Sequence, residues 1–440
     1  MARFKTHIPL NVFLNNRHVG RLDKEASGAI RFAYDDAWLN TGGALPVSLS
    51  LPLRETPYGG APVSAVFDNL LPDNEGIRKH VAERVGAEGT DAYSLLAKIG
   101  RDCVGALQFL ADGEDNPNTG KIEGEVVDDT AIEAMLANLR RAPLGMDKDD
   151  HFRISIAGAQ EKTALLRHNG QWKKPIGATP TTHIFKPQIG TFETGSGIID
   201  LSDSVENEFY CLKLMEAFGL PVTAATIETF GARKVLVVER FDRRWRDDGR
   251  LMRLPQEDCC QALSVPPSRK YQNEGGPAIA QIITLLKGSD TPNEDMLAFF
   301  KSQIIFWLIG ATDGHGKNFS VFLMPGARYH LTPFYDVLTA QPSFDANNIR
   351  HRAYRLAMSL GDNRHYKILE IRARHFRQTA KEAGLSPALT EQAFTDIENL
   401  AEAALENVTA SLPVDFPSAI HESVKASVLD RLHQLTQTEA

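Results

Sequence analysis

Ile309-Gly-Ala-Thr-Asp-Gly-His-Gly-Lys-Asn-Phe-Ser-Val-Phe322, followed by Leu331-Thr-Pro-Phe-Tyr-Asp336, is the stretch that decides how the rest of the chain reads. Asp313 and Asn318 have four residues between them. A strand-like run, Phe319-Ser-Val-Phe-Leu323, follows, then a turn at Pro325-Gly326 and a second strand-like piece ending at Asp336. A hairpin of this kind carries Asp313, Asn318 and Asp336 back to one place. Their chemistry is complementary. One carboxylate can accept the proton of a hydroxyl, while a carboxylate and an amide carbonyl give magnesium the hard oxygens it prefers beside water and phosphate. The competing reading is that Asp-Gly and Lys-Asn only mark turns. A turn alone does not call for a second aspartate behind Thr332-Pro-Phe-Tyr335, so the catalytic reading is favoured.

The Asp-x4-Asn spacing is that of a protein-kinase catalytic loop, in which the aspartate is the base and the asparagine a metal ligand. Other parts of such a site can then be sought upstream. In Arg153-Ile-Ser-Ile-Ala-Gly-Ala-Gln-Glu-Lys-Thr-Ala-Leu-Leu166 an alternating strand meets the small residues Ala157, Gly158 and Ala159 and resumes at Thr163. Minimal side chains let backbone N–H groups approach a phosphate, and Lys162 adds charge. The spacing is neither a Walker sequence nor the kinase Gly-x-Gly-x-x-Gly, so a tight turn without a ligand competes on equal terms. Lys186 ends the apolar strand Thr182-His-Ile-Phe-Lys186, where a kinase places the lysine that grips the α- and β-phosphates. A lone strand-end lysine is otherwise a solvated one. Glu208, on a helix from Val205 to Phe218, is the candidate partner of Lys186, against a surface i,i+4 role. Lys234-Val-Leu-Val-Val-Glu-Arg-Phe-Asp242 reads as a buried strand running into a hinge, where backbone groups of Glu239 to Phe241 would meet adenine.

With 440 residues the chain is long enough for two or three domains, and 42% hydrophobic with 24% charged residues is ordinary for a soluble globular protein. Met1 to Ile8 shows no apolar signal core, no apolar run has membrane-spanning length, and Cys103, Cys211, Cys259 and Cys260 lack metal-ligand spacing. The expectation is a reduced, cytoplasmic protein with no membrane partner. A net charge of −8 excludes a globally basic nucleic-acid binder. It hides a patch, however. Residues 350–381 hold nine lysines and arginines against Asp362 and Glu370, a balance of +7. Lys367, Arg374, Arg377 and Lys381 would share one face if that segment were helical, fitting contact with a phosphate backbone or, more simply, a solvated face.

The N-terminal part reads as strands and turns: a hairpin around Asn15-Asn16, then Ile30–Tyr34, Val47–Leu51 and Val104–Leu110. Helices are expected over Pro72–Gly86 and Tyr93–Ile99, the second capped by Thr90 or Asp91, and over Ala131–Arg141 after an acidic connector at 111–130. Beyond Leu254 strand signals fade and helices dominate: Gly276–Leu286, Asn293–Ile309, Ile368–Ala383, Pro387–Ser411 and Pro417–Thr436. The fold class expected is α+β, bilobal and protein-kinase-like. It divides into a β-rich subdomain at 1–112, the rest of an α/β lobe at 113–255 and a helical lobe at 256–440, with ATP between the lobes.

The set Phe152–Leu166, Val238-Glu-Arg-Phe-Asp-Arg-Arg-Trp245, Leu254-Pro-Gln-Glu-Asp258, Gly310-Ala-Thr-Asp-Gly-His315 and Thr332-Pro-Phe-Tyr-Asp336 closely resembles the HipA family of serine/threonine-protein kinase toxins. The resemblance extends from the Asn15-Asn16 hairpin and Phe67-Asp-Asn-Leu-Leu-Pro-Asp73 to Ser411-Leu-Pro-Val-Asp-Phe-Pro417, essentially the whole chain. It implies ATP and Mg2+ as cofactors, Asp313 as catalytic base, and Asn318 and Asp336 as metal ligands. It further implies a nucleotide site of Ala157, Gly158, Ala159, Gln160, Glu161, Lys162, Lys186, Glu239, Arg240, Phe241, His315, Lys317 and Asn318. Ser155 matches the serine whose autophosphorylation ejects the phosphate loop. The family's substrate is glutamyl-tRNA synthetase, its antitoxin is HipB, a helix-turn-helix protein, and the two touch operator DNA together. Gly316 departs from the family, where Ala is more usual, which loosens the loop slightly. The fused N-terminal sheet argues against the split three-gene form of the system. Two alternatives stay open: a small-molecule phosphotransferase of the aminoglycoside type, which shares the Asp-x4-Asn loop, and a DNA-bound co-repressor with vestigial chemistry.

Overall fold

The computed structural model describes residues 7–114, 121–146, 152–158, 160–194 and 197–436. The chain forms two compact units from interleaved stretches. The first comprises Met1–Pro187, Glu228–Ser268 and Ser320–Tyr329, the second Gln188–Ile227, Arg269–Phe319 and His330–Ala440.

The first unit begins with a five-stranded antiparallel sheet in the order Tyr58–Gly59, Ile30–Tyr34, Arg17–Lys24, Leu10–Leu14, Leu107–Ala111. Asn15 and Asn16 both take left-handed backbone angles (φ 46° and 68°), the two-residue hairpin turn that Asn tolerates best among residues with a Cβ. Phe32, Phe67 and Phe109 meet edge to face or tilted beneath this sheet, all of them sealed from solvent. The expected strand at Val47–Leu51 does not form. Its backbone is held by a side chain instead: the Tyr34 hydroxyl accepts from Val47 N (2.9 Å) and donates to Leu51 O.

A second sheet has six strands in the order Ala225–Phe230, Arg233–Glu239, His183–Pro187, Thr163–His168, Gln171–Pro175, Gly124–Val126. Helix Asp129–Ala137, capped by Asp128, lays Ile132 and Leu136 on Leu165, Trp172, Phe185 and Val237 of that sheet. Beside the end of Arg233–Glu239 lies a buried ion cluster. Arg240, Arg243 and Arg253 surround Asp102 and Asp242, with contacts of 2.9–3.3 Å and every side chain at most 4% exposed. Burial alone would raise the Asp102 carboxyl, but the guanidiniums of Arg243, Arg253 and Arg240 hold it far below the carboxylate range.

In the second unit the helices Ile279–Leu286, Pro292–Ile309, Pro387–Ser411 and Ser418–Thr436 stand close to where the sequence puts them. Pro292–Ile309 is buried continuously from Phe299 to Ile309 and ends at Gly310, whose left-handed φ of 69° closes the helix. Short strands interrupt the helical pattern. Arg355–Leu360 and His365–Lys367 pair as a hairpin turned by Gly361 and Arg364, both at positive φ. The helix expected over Ile368–Ala383 therefore splits into a short 3-10 turn, Ile368–Glu370, and a helix Ala373–Glu382. Among the described residues no helix is long and apolar enough to cross a membrane.

Candidate active site

In the second unit Gly310 releases the chain from its long helix into the loop bearing Asp313. Gly314 lies against the ring of Phe306, leaving no room there for a Cβ. His315 N bonds back to Asp313 O (2.8 Å) and Asn318 N to His315 O (2.9 Å), closing a 3-10 turn over Gly316–Asn318. Asp336 arrives from the other side. Its segment is pinned where Phe334 N meets Pro221 O (2.8 Å) and Thr223 N meets Phe334 O (2.9 Å), and by the Tyr335 hydroxyl on Lys317 O (2.8 Å). Asp336 itself sits at φ 57°, a strained region for a residue other than glycine and one that structures retain mostly where a side chain must be aimed.

The three sequence-predicted residues of this unit therefore converge, in two different states. Asn318 is buried and donates its side-chain amide to both the carbonyl and the Oδ2 of Asp336, at 3.2 Å each. Its Oδ1 is buried with no hydrogen-bond partner among the described residues, an acceptor whose desolvation none of them offsets. Next to a carboxylate, that oxygen fits a hard cation such as magnesium. Among the described residues no three His, Cys, Asp or Glu gather as a metal cage, so the donor set is the sparse amide-and-carboxylate kind that leaves room for phosphate and water. Asp313, by contrast, presents a side chain 53% exposed, as a group must that meets a substrate hydroxyl. Its Oδ1 accepts from the hydroxyl of Tyr271. His315 and Lys317 are buried, the former with Nε2 4.0 Å from Asp313 Oδ1. Glu208 is buried on helix Ser204–Ala217 at 2% exposure, which removes the surface-pair reading.

In the first unit the phosphate-loop candidates sit at the end of a strand pair. Thr163 pairs with Phe185 and Ala164 with Ile184, so the ladder, continued by one residue, sets Lys162 opposite Lys186. Both lysines are about 6% exposed. Lys162 folds under the loop, with Nζ on Ala157 O (2.8 Å), and Gln160 Nε2 reaches Pro187 O (3.0 Å). Gly158 has φ 108° and is bridged to Pro72, with Asp73 N on its carbonyl (3.1 Å). A left-handed glycine flanked by small residues is the geometry that turns backbone N–H groups toward an anion. Ala159 lies outside the described residues, and Glu161 is exposed. The stretch before this loop, expected as a strand, makes no ladder. Ser155 N instead meets Asp102 O (2.9 Å) and Ser155 Oγ donates to Leu70 O (2.7 Å), which leaves the residue with no exposed surface.

At the hinge candidates, Glu239 ends its strand exposed and Phe241 packs edge-on against Phe322, 5.7 Å between centroids. Arg240 donates its backbone N–H to Thr182 O (2.8 Å), and its guanidinium belongs to the buried ion cluster. The basic stretch also changes shape. Lys367 ends a strand and pairs with Glu370 (2.7 Å), so only Arg374, Arg377 and Lys381 share the exposed face of helix Ala373–Glu382. Arg377 is further engaged by Glu391 at 3.0 Å. Sequence reasoning missed Tyr271 altogether. An aromatic among polar turn residues carries no spacing signal toward an aspartate 42 residues on.

A model of the HipA N-terminal domain matches residues 10–110, and one of the HipA-like C-terminal domain matches 154–405. The chain is 33% identical over 413 residues to the putative kinase Y4mE of Sinorhizobium fredii, covering 92% of this chain and 94% of that protein. It is 28% identical over 379 residues to the serine/threonine-protein kinase toxin HipA of Shewanella oneidensis, covering 82% and 80% respectively. Its fold matches a solved HipA chain from the complex of Shewanella oneidensis MR-1 HipA, HipB and operator DNA, with a TM-score of 0.78 at 23% identity over 98% of this chain and all of that one. The chain thus belongs to the HipA family and has the α+β, kinase-like fold that its Asp-x4-Asn loop announces.

Proposed function

We propose that this protein is an ATP-dependent serine/threonine-protein kinase acting as the toxin of a toxin–antitoxin module. The observation that carries the reading is the orphaned Asn318 Oδ1 beside the Asp336 carboxylate, five residues from an exposed Asp313. Asp313 takes the proton of the acceptor hydroxyl as that oxygen attacks the γ-phosphorus of ATP and ADP departs. Asn318 and Asp336 hold magnesium, which when bound neutralises charge on the phosphate oxygens. Lys162, Lys186 and the backbone of the 157–162 loop grip the phosphates, His315 and Lys317 complete the nucleotide contacts, and backbone groups of Glu239 to Phe241 receive the adenine. The kinship of the chain with HipA supports glutamyl-tRNA synthetase as substrate. It also supports Ser155 as a self-modification site that shuts the kinase down, and a HipB-type antitoxin with operator DNA as partners, the exposed face of Arg374, Arg377 and Lys381 being the candidate DNA contact.

The test is labelled-ATP transfer by the purified protein with magnesium and glutamyl-tRNA synthetase, with mass spectrometry of both proteins. Label on the synthetase and on Ser155 is expected. Label on Ser155 alone keeps the kinase and removes the substrate, and no label on either overturns the kinase reading.

A further inference from the structure

We infer that Tyr271 is a positioning residue for the catalytic base, holding one carboxylate oxygen of Asp313 so that the other faces the acceptor hydroxyl. The inference rests on the kinase reading of Asp313. The Tyr271 hydroxyl donates to Asp313 Oδ1, and His315 Nε2 stands 4.0 Å from that same oxygen. The rings of Tyr271 and His315 meet edge to face, 5.0 Å apart at 84°, so the two groups form one wall against one edge of the carboxylate. Asp313 is 53% exposed at its side chain, and a hydrogen bond to one oxygen narrows the torsions that such a side chain samples. Pinning Oδ1 gives Oδ2 the proton-accepting role.

Tyr271 is itself held firmly, which separates a positioning role from that of a plug that swings aside. Lys270 O accepts Gly316 N (3.2 Å), joining this segment to the catalytic turn. Tyr271 O accepts both Glu274 N (3.0 Å) and Gly276 N (2.8 Å), and a Cβ at Gly276 would collide with the carbonyls of Arg269 and Lys270. The neighbouring Gln272 Oε1 accepts Ser359 N at 2.7 Å and its hydroxyl at 3.2 Å. The tyrosine thus arrives on a braced turn with its hydroxyl already aimed.

Tyr271→Phe keeps the ring on His315 and removes only the hydroxyl. Wild type, Tyr271→Phe and Asp313→Asn are compared side by side for transfer from labelled ATP to glutamyl-tRNA synthetase and to the protein itself, with thermal midpoints and ATP affinity measured on each. In Tyr271→Phe, kcat is expected to fall roughly ten- to hundredfold while KM for ATP and the thermal midpoint stay near those of wild type. An unchanged kcat, or a loss of kcat accompanied by loss of stability or ATP affinity, overturns the positioning role while leaving the kinase intact. A wild type that transfers nothing, or Asp313→Asn as active as wild type, overturns the kinase reading and this role with it.

Discussion

Asn318 donates one amide to two acceptors on Asp336, the backbone carbonyl and the carboxylate, each at 3.2 Å. The pairing holds Asp336 at its left-handed φ of 57° and leaves Asn318 Oδ1 buried with no partner among the described residues. Asp336→Asn tests this arrangement at nearly constant shape. Asparagine is among the residues that best accept left-handed backbone, so folding should survive. Loss of the charge should lower transfer from ATP by at least roughly a hundredfold. Labelled-ATP transfer and the thermal midpoint of the purified variant check both halves. Full activity would remove Asp336 from the metal site.

Ser155 offers a second test, because its hydroxyl is spent on Leu70 O inside the first unit and has no exposed surface. Ser155→Ala leaves that carbonyl without its donor and should cost about 1 kcal/mol of stability. The variant should bind ATP normally. Ser155→Glu puts a charge where no solvent reaches, so the segment must leave its seat or stay neutral. ATP affinity is expected to fall at least roughly tenfold, as it would with a phosphate carrying nearly two charges there. Calorimetric titration with ATP distinguishes the two variants. Equal affinity in both would show that the 152–158 segment does not govern the nucleotide loop.

These two sites differ in how far the amino-acid sequence discloses them. Asp313, Asn318 and Asp336 lie within 24 residues and their spacing is chemical, so local reading finds them. The long helices are equally legible, since Pro292 and Gly310 punctuate a stretch with an acidic first turn and a mostly apolar body. Alternation puts Ser155 on a strand, because it looks the same whether an extended segment joins a ladder or bonds singly to Asp102 and Leu70. In sequence Arg240, Asp242 and Arg243 read only as charges where a buried strand runs into a hinge. Their burial depends on Asp102, which lies 138 residues from Arg240 and 141 from Arg243, and no local pattern reports such a partner. Tyr34 displaces the expected strand at Val47–Leu51 in the same non-local way.

The ion cluster makes a stability prediction of its own. Asp102 receives the guanidiniums of Arg240, Arg243 and Arg253 at 3.3, 2.9 and 3.1 Å and also accepts from Thr181 N and Oγ1. Burial, and then its neighbour Arg240, already push the Arg243 guanidinium down to about 10. Asp102→Asn removes a charge that three buried cations share and should destabilise the protein by about 3–5 kcal/mol, the cost of leaving buried charge uncompensated. Urea or thermal unfolding measures it. A shift smaller than about 1 kcal/mol, the value of an exposed pair, would mean that water reaches the cluster.

Glu257 supplies a pH dependence whose sign can be worked out in advance. It is 1% exposed on strand Gln256–Asp258, its Oε1 accepts Leu49 N (2.7 Å), and its Oε2 is buried with no hydrogen-bond partner among the described residues. Burial pushes the carboxyl from 4.5 up to about 8, against the opposing hydrogen bonds from Leu49 and Ser48. Between those values the folded protein keeps a proton that the unfolded chain gives up. The stability contributed is complete below the unfolded value and is lost as pH rises through the folded one, with a slope of at most about 1.4 kcal/mol per pH unit. Glu257→Gln carries the hydrogen-bonding shape of the protonated acid without the titration. Its thermal midpoint should match wild type near pH 5 and exceed it increasingly toward pH 8, the gap then levelling off. Midpoints measured from pH 5 to 9 decide the matter, and parallel curves for the two proteins would show that Glu257 does not titrate within this range.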